Sequence, residues 1–209
     1  MSTDTRTSRV VAPLFQLWSH VYDARVFQRF YGGIHDRILR RAPTELGAAL
    51  DVGCGTGELV VKLSRRYPRA RVVGVDVSAA MLRRAQEKDF GGATVELVEG
   101  SVYELPFPDG TFELVTNTIS SHFYRDFTAA ARELARVAAP GARLAMASLG
   151  IGPMRHLPGR AGKEVRVGDM AYRAPAYQRA MLEDAGWTVD SVDSLVLGAV
   201  LYTARRTTS

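Results

Sequence analysis

This chain has three closely spaced glycines, Gly53, Gly55 and Gly57, directly after the apolar segment 48–52. An apolar segment of this length predicts a buried β-strand, and the glycines predict that the strand ends in a tight turn. A helix that begins at such a turn presents backbone N–H groups to a ligand lying close to the glycines. The segment therefore predicts a strand, a turn and a helix around a small-molecule site.

The spacing of the glycines and the acids beside them restrict the kind of ligand. Dinucleotide-binding loops usually have the spacing G-x-G-x-x-G, whereas residues 53–57 read G-x-G-x-G. Asp51 precedes the loop and Glu58 follows it, and two carboxylates would repel a diphosphate. A ligand that carries an ammonium and a sulfonium group suits this loop better, and S-adenosylmethionine is such a ligand.

Segments of strand length alternate with helical patterns along most of the chain. Two N-terminal helices are predicted, over 14–30 and 34–41. The predicted strands are 48–52, 71–75, 94–98, 112–116 and 143–148, and the helices between them are 57–67, 79–88 and 126–138. A helix over 175–185 and a β-hairpin formed by 187–194 and 198–206 follow.

This order of elements predicts an α/β fold with a parallel sheet, helices on both faces and one antiparallel strand from the final hairpin. A single domain is expected over 1–209. Within it we distinguish an N-terminal helical cap (1–45), a ligand-binding core (48–148) and a C-terminal helix with hairpin (173–209). The intervening segment 150–172 begins with a glycine-rich stretch without periodicity, which predicts a loop or lid.

The composition indicates a soluble globular protein, because 46% of the 209 residues are hydrophobic and 23% are charged. No apolar run approaches the roughly 20 residues of a membrane-spanning helix. The single cysteine and the polar first nine residues predict a cytoplasmic protein without an export signal. The net charge of +5 comes from arginines scattered along the chain, which favours solvated faces over a nucleic-acid-binding stripe. A small molecule is the expected partner, with neither nucleic acid nor an integral membrane segment.

In a doubly wound sheet the ligand lies at the carboxyl ends of the strands, near the point where the strand order reverses. The second predicted strand leads into Asp76, about twenty residues after the glycines, a position from which a carboxylate can bind two ribose hydroxyls. Asp76 would alternatively cap the following helix, but Ser78 is better placed for that. The third predicted strand leads into Ser101, and the fourth into Asn117.

Four segments in this order resemble the class I S-adenosylmethionine-dependent methyltransferases, over approximately residues 48–206. They are 50–57 (LDVGCGTG), 72–82 (VVGVDVSAAML), 105–115 (LPFPDGTFELV) and 132–141 (RELARVAAPG). The quinone-biosynthesis subgroup of small-molecule methyltransferases is the most similar. The resemblance implies a Rossmann-like, doubly wound seven-stranded sheet, with six parallel strands and one antiparallel strand.

The resemblance also implies roles for individual residues in binding S-adenosylmethionine. The methionine part would lie near Asp51 and Gly53, and the ribose on Asp76. The remaining cofactor-binding residues that it implies are Tyr22, Gly55, Gly57, Val77, Met81, Ser101, Val102 and Asn117. Val77 and Val102 would enclose the adenine, and Tyr22 would close over the cofactor. Ser101 departs from the aspartate that the family commonly has there, so its contact with adenine is expected to be weaker.

The sequence contains no obvious catalytic dyad. A sulfonium already activates its methyl group, so positioning alone lowers the barrier substantially. His122 is the strongest candidate for a base because imidazole titrates near neutral pH, and Tyr124 is a second candidate. His35 is expected to be a wall or surface residue. No cluster has the spacing of a metal site. An alternative is a protein of this fold that binds the cofactor but catalyses a cyclisation or decarboxylation.

Overall fold

The computed structural model describes residues 25–150 and 163–208. Five helices are described: α1 (Arg25–Arg41), α2 (Glu58–Arg66), α3 (Ala79–Gln86), α4 (Phe127–Val137) and α5 (Pro175–Asp184). The first five strands are β1 (Ala48–Val52), β2 (Arg71–Asp76), β3 (Thr94–Glu99), β4 (Phe112–Thr118) and β5 (Ala138–Leu149). The others are β6 (Glu164–Val167), β7 (Met170–Arg173), β8 (Trp187–Ser194) and β9 (Ala199–Arg206).

Seven of these strands form one sheet in the order β3-β2-β1-β4-β5-β9-β8. Strands β1 to β5 are parallel, and β9 is antiparallel to both β5 and β8. Six strands therefore run in one direction and one in the other, which confirms the predicted fold class. The strand order reverses between β1 and β4, so their carboxyl ends mark the expected ligand site.

Two hydrophobic layers cover the faces of the sheet. On one face, α4, α5 and β8 contribute Phe127, Leu134, Leu182 and Trp187, and the Trp187 indole donates a hydrogen bond to the Ala131 carbonyl at 3.0 Å. On the other face, α1, α2 and α3 contribute Ile34, Ile38, Leu59, Leu63 and Leu82. The apolar residues of β1 are buried because helices cover both of its faces.

Three sequence predictions about elements were wrong. Helix α1 is continuous through Gly32 and Gly33, where a break between two helices was expected. Strand β5 begins at Ala138 rather than at Arg143, and its pairing with β4 shifts register around Pro140 and Gly141. Residues 164–172 of the segment predicted as a loop or lid are not a loop, because together with Arg173 they form an antiparallel hairpin, β6-β7.

The hairpin β6-β7 is attached to the body by Arg173, whose side chain is buried. Its guanidinium donates to the carbonyls of Ser121 and Tyr124 and forms an ion pair with Glu164 at 2.8 Å. It also lies over the ring of Phe127. The hairpin is thus fixed against the turn that follows β4, which the sequence of 164–173 did not reveal.

Candidate functional site

A cavity of about 830 Å³ opens at the carboxyl ends of β1, β2, β3 and β4. Its volume is within the range typical of small-molecule sites. The part nearer β2 and β3 is lined by Asp76, Val77, Ser78, Met81, Glu99, Gly100, Ser101, Val102 and Tyr103. The part nearer β4 is lined by Tyr31, Gly32, His35, Leu59, Lys62, Thr118, Ile119, Ser120, Phe123, Tyr124 and Asp169. The glycine loop lies between the two parts.

The glycine loop adopts a conformation that side chains rarely tolerate. Gly53, Gly55 and Gly57 have φ angles of 70°, 54° and 78°. A Cβ atom at Gly53 would lie 2.3 Å from Ser120 Oγ, and one at Gly57 would lie 3.0 Å from the Ala85 Cβ. A Cβ at Gly55 would meet no described atom within 4 Å. Close packing therefore excludes a side chain at Gly53 and leaves little room for one at Gly57, whereas Gly55 leaves its backbone open to the cavity.

Asp76, at the end of β2, holds the glycine loop in place. Its Oδ2 accepts a hydrogen bond from the Gly55 N–H, and its Oδ1 accepts one from the Ser78 N–H, both at 2.9 Å. Ser78 in turn caps α3, as predicted, because its hydroxyl accepts from the Met81 N–H. Burial raises the pKa of Asp76 despite these hydrogen bonds. The carboxylate fixes the loop and still lines the cavity.

Asp51 lies deeper, at the end of β1, and is only 2% exposed. Its Oδ1 accepts a hydrogen bond from the Thr116 hydroxyl at 2.8 Å. Burial raises the pKa of Asp51 to about 7, and the nearby charge of Asp76 adds to the effect, although the Thr116 hydrogen bond opposes it. A single side-chain hydrogen bond does not offset the burial of this carboxylate, so a cationic group is favoured as its ligand.

The other residues expected near an adenine come together at the β2–β3 part of the cavity. Val77 is 56% exposed, and Met81 and Val102 are buried at the wall. The Ser101 hydroxyl accepts a hydrogen bond from the Tyr103 N–H at 3.3 Å. This part of the wall combines apolar contact area with a few polar groups. Tyr22 lies outside the described residues, so its role stays a prediction.

Asn117 does not line the cavity, contrary to the expectation of a direct cofactor contact. It is fully buried, and its Nδ2 lies 2.7 Å from the Val52 carbonyl, 2.5 Å from Ser120 Oγ and 2.7 Å from the Tyr124 hydroxyl. Since these groups belong to the wall or support it, Asn117 orients the end of β1 and the turn after β4 from behind.

The two predicted catalytic residues have different surroundings. Tyr124 lines the cavity, and burial raises its pKa above the ordinary value, so its hydroxyl stays protonated. His122 is buried and is not among the residues of the cavity wall. Its ring stacks on Tyr172 with an interplanar angle of 11°, and burial lowers its pKa to about 4. The described wall therefore does not include His122, and its role as a base stays a prediction from the sequence.

The sequence left open whether His35 is a wall or a surface residue, and it did not predict that Tyr31 and Gly32 belong to the wall. Tyr31, Gly32 and His35 line the cavity, with His35 5% exposed. A glycine pair inside a helical pattern was the one available signal, and it was interpreted as a break. Ile119 lines the cavity with a φ of 52°, which the sequence did not predict. A β-branched residue in that conformation is strained, and such strain is commonest at functional sites.

No group of three or more His, Cys, Asp or Glu residues in 25–150 or 163–208 is arranged to hold a metal ion. Within the same residues, no helix is long and apolar enough to cross a bilayer.

Comparison with known proteins gives a match over the central part of the chain. Residues 50–146 match the family model described as a methyltransferase domain. A demethylmenaquinone methyltransferase from Thermus thermophilus is 36% identical over 135 residues, which are 64% of this chain and 60% of the relative. A malonyl-[acyl-carrier protein] O-methyltransferase from Halorhodospira halophila is 34% identical over 167 residues, covering 78% and 55%. The matches therefore span little more than half the length of these curated relatives.

A solved structure supports the architecture over a larger part of the chain. The crystal structure of a SAM dependent methyltransferase from Aquifex aeolicus superimposes with a TM-score of 0.74, covering 92% of this chain and 98% of that chain. The sequence identity is 21%, so this likeness concerns the fold alone.

Proposed function

We propose that this chain, whose residues 50–146 match the methyltransferase domain family, transfers a methyl group from S-adenosylmethionine to a small, partly apolar molecule. The observation that carries the proposal is the pair of carboxylates, the buried Asp51 and the half-buried Asp76, on either side of an open glycine loop. Negative charge at this position suits a cationic nucleoside and opposes a diphosphate.

The residues of the cavity fit the parts of this cofactor. The raised pKa of Asp51 suits an ammonium or sulfonium group, since a positive charge nearby stabilises the ionised carboxyl. Asp76 has acceptor capacity left for ribose hydroxyls, because two N–H donors occupy only part of its lone pairs. Val77, Met81 and Val102 supply an apolar surface for adenine.

When bound, the cofactor supplies an electrophilic methyl group that needs no further activation. The protein then has to bind the two reactants, orient them towards each other and exclude water. Tyr124 and Ser120, both hydrogen-bonded to Asn117, present hydroxyls at the β4 part of the cavity. Leu59, Ile119 and Phe123 give that part an apolar wall. A site of this kind raises the rate mainly by holding two reactants in line.

The acceptor atom is O, N or C of a small molecule that enters the β4 part of the cavity. The relatives methylate a demethylmenaquinone and a malonyl group on an acyl carrier protein, according to their names. The apolar wall favours an acceptor with apolar surface. A cytoplasmic location and the absence of a nucleic-acid partner stay predictions from the sequence.

Calorimetry with S-adenosylhomocysteine tests the cofactor site. We expect binding by the full chain, and a loss of about tenfold or more for Asp76→Ala, because the variant lacks the acceptor for ribose and for the Gly55 N–H. Glu113→Ala is the control, because Glu113 bonds to Gly47 N and is not among the cavity residues. No binding by the unaltered chain would refute the proposed function.

Incubation with methyl-labelled cofactor and a panel of phenols, quinols and amines tests the transfer itself. Label in the acceptor is the expected result. If an acceptor is consumed while the label stays in the cofactor, the chain catalyses a non-methylating reaction such as a cyclisation or decarboxylation.

A further inference from the structure

The middle of helix α1 contains two adjacent glycines, which is unusual because glycine weakens a helix relative to alanine. Gly32 lines the cavity, whereas Gly33 is exposed and does not. A Cβ at either position would meet no described atom within 4 Å. Packing among the described residues therefore does not require glycine at position 32. Because Gly32 has no side chain, cavity space remains directly beside the helix backbone.

His35 lies one turn further along the same helix and faces the same cavity. It is 5% exposed, and its ring lies beside that of Tyr31, with 6.3 Å between the ring centroids. Burial and the charge of Lys62 lower the pKa of His35 to about 4, so the ring is neutral at neutral pH. A neutral imidazole offers one N–H donor and one nitrogen acceptor.

The wall formed by Gly32 and His35 is held in place by α2. The Lys62 Nζ donates to Asp36 Oδ1 at 2.6 Å and to the Gly32 carbonyl at 3.4 Å. These contacts hold the backbone of α1 against α2 at the cavity wall.

The surroundings define the chemistry of a molecule that fits this wall. The neighbours at the β4 part of the cavity include Tyr31, Leu59, Ile119 and Phe123, which are apolar or aromatic. The described wall as a whole carries five carboxylates and one lysine, so an anionic molecule would be repelled. A flat, uncharged ring with a polar hydrogen satisfies both the apolar neighbours and the imidazole acceptor.

We propose that Gly32 and His35 form the acceptor-binding wall, and that the acceptor is a flat, uncharged hydroxyaromatic compound whose ring lies against the α1 backbone at Gly32 while its hydroxyl donates to His35. This inference rests on the proposed function, because the cofactor is assigned to the other part of the cavity. It adds two residues that determine which acceptor is bound.

The first test compares Gly32→Ala with Gly33→Ala. The probe is 2-naphthol, and its dissociation constant is measured by ligand-observed NMR with the full chain saturated with S-adenosylhomocysteine. Both variants are expected to raise the unfolding temperature, since both gain helix propensity. Only Gly32→Ala is expected to weaken 2-naphthol binding, by about tenfold. Equal affinities for 2-naphthol in the two variants would overturn the assignment of Gly32.

The second test addresses the hydrogen bond to His35. His35→Phe keeps a ring but removes both nitrogens, and it is expected to weaken 2-naphthol binding about tenfold. His35→Asn and His35→Gln carry an amide near the positions of Nδ1 and Nε2, and one of them is expected to restore binding. The unaltered chain is expected to bind 2-methoxynaphthalene and 2-naphthoate more weakly than 2-naphthol. If neither amide restores binding, or if 2-naphthoate or 2-methoxynaphthalene binds as well as 2-naphthol, the role of His35 is refuted.

Binding of S-adenosylhomocysteine distinguishes a failure of the proposed acceptor wall from a failure of the proposed function. If the unaltered chain and both glycine variants bind it equally while 2-naphthol binding does not respond to Gly32 or His35, the acceptor wall is wrong and the proposed function stands. If the unaltered chain does not bind it, the proposed function fails as well.

Discussion

Two carboxylates at neighbouring strand ends have different partners, and this difference determines what each does. Asp76 accepts two backbone N–H groups and so fixes the glycine loop. Asp51 accepts one hydroxyl hydrogen bond in a more buried position, which leaves its pKa at about 7. A residue type alone does not predict such a value, because burial and hydrogen bonding decide it.

We expect the affinity for S-adenosylhomocysteine to fall as the pH decreases from 7 to 5.5. In the free protein Asp51 takes up a proton below pH 7, whereas a bound ammonium group favours its ionised form. The binding constant should fall by up to about tenfold for each pH unit while one proton must be released. Calorimetry across this range measures the slope.

The matched variant for this prediction is Asp51→Asn, which cannot titrate. Its affinity at pH 7 should be lower than that of the unaltered chain, and its slope between pH 7 and 5.5 should be small. A slope that persists in the variant would show that another group is responsible.

Gly53 and Gly55 provide a second prediction at the scale of single residues. Both have positive φ, so alanine at either position costs about 1–2 kcal/mol of stability. Gly53→Ala should cost more than Gly55→Ala, because only its Cβ would collide with Ser120. Denaturant unfolding of the two variants measures the difference, and equal losses would contradict the packing argument.

At the scale of elements, helix α4 holds the loop that follows β3. Arg136 donates to the carbonyls of Leu105 and Phe107 at 2.9 and 2.8 Å, and to Asp109 at 2.7 Å. Glu133 accepts from the Leu105 N–H and pairs with Arg136. The segments 105–115 and 132–141, which resemble the same family, are therefore bonded to each other. Their link supports the loop that carries Ser101.

Arg136→Gln should destabilise the protein by about 2 kcal/mol, because several charge-assisted hydrogen bonds to the loop are lost. The amide of Leu105 should also exchange its hydrogen faster, since its acceptor Glu133 loses its partner. Arg132→Gln, on the exposed side of the same helix, is the control and should change stability little. Similar losses for both variants would contradict the role of Arg136 as the link to the loop.

At the scale of the whole molecule, buried histidines make part of the stability depend on pH. Burial lowers the pKa of both His35 and His122 to about 4, from 6.5. Between these values the unfolded chain binds more protons than the folded one, so their contribution to stability falls as the pH falls. Asp51 and Asp76 act in the opposite direction, because burial raises their pKa.

A single-histidine variant isolates one of these contributions. His122→Gln cannot titrate, so between pH 7 and pH 5 the unaltered chain should lose about 2 kcal/mol of unfolding free energy relative to the variant. Denaturant unfolding at the two pH values measures both proteins. A difference that stays constant with pH would mean that His122 is not held neutral in the folded state.

The local patterns of the chain predicted most of the fold correctly. Apolar strand segments, the Ser78 cap and the glycine loop are short-range features whose physics acts within a few residues. The continuous helix α1 and the hairpin β6-β7 were missed because their support is distant. Lys62 holds α1 at Gly32, and Arg173 holds the hairpin against Ser121 and Tyr124.

The positions of Asp51, the glycine loop and Asp76 were predictable from the sequence, because each of them lies at a strand end. Which side chains reach the cavity was not predictable in this way, because it depends on how the elements pack. The tertiary structure puts His122 and Asn117 behind the wall and His35 and Gly32 in it. The direction in which a side chain points depends on contacts between residues far apart in sequence, because close packing of the interior fixes the position of each side chain.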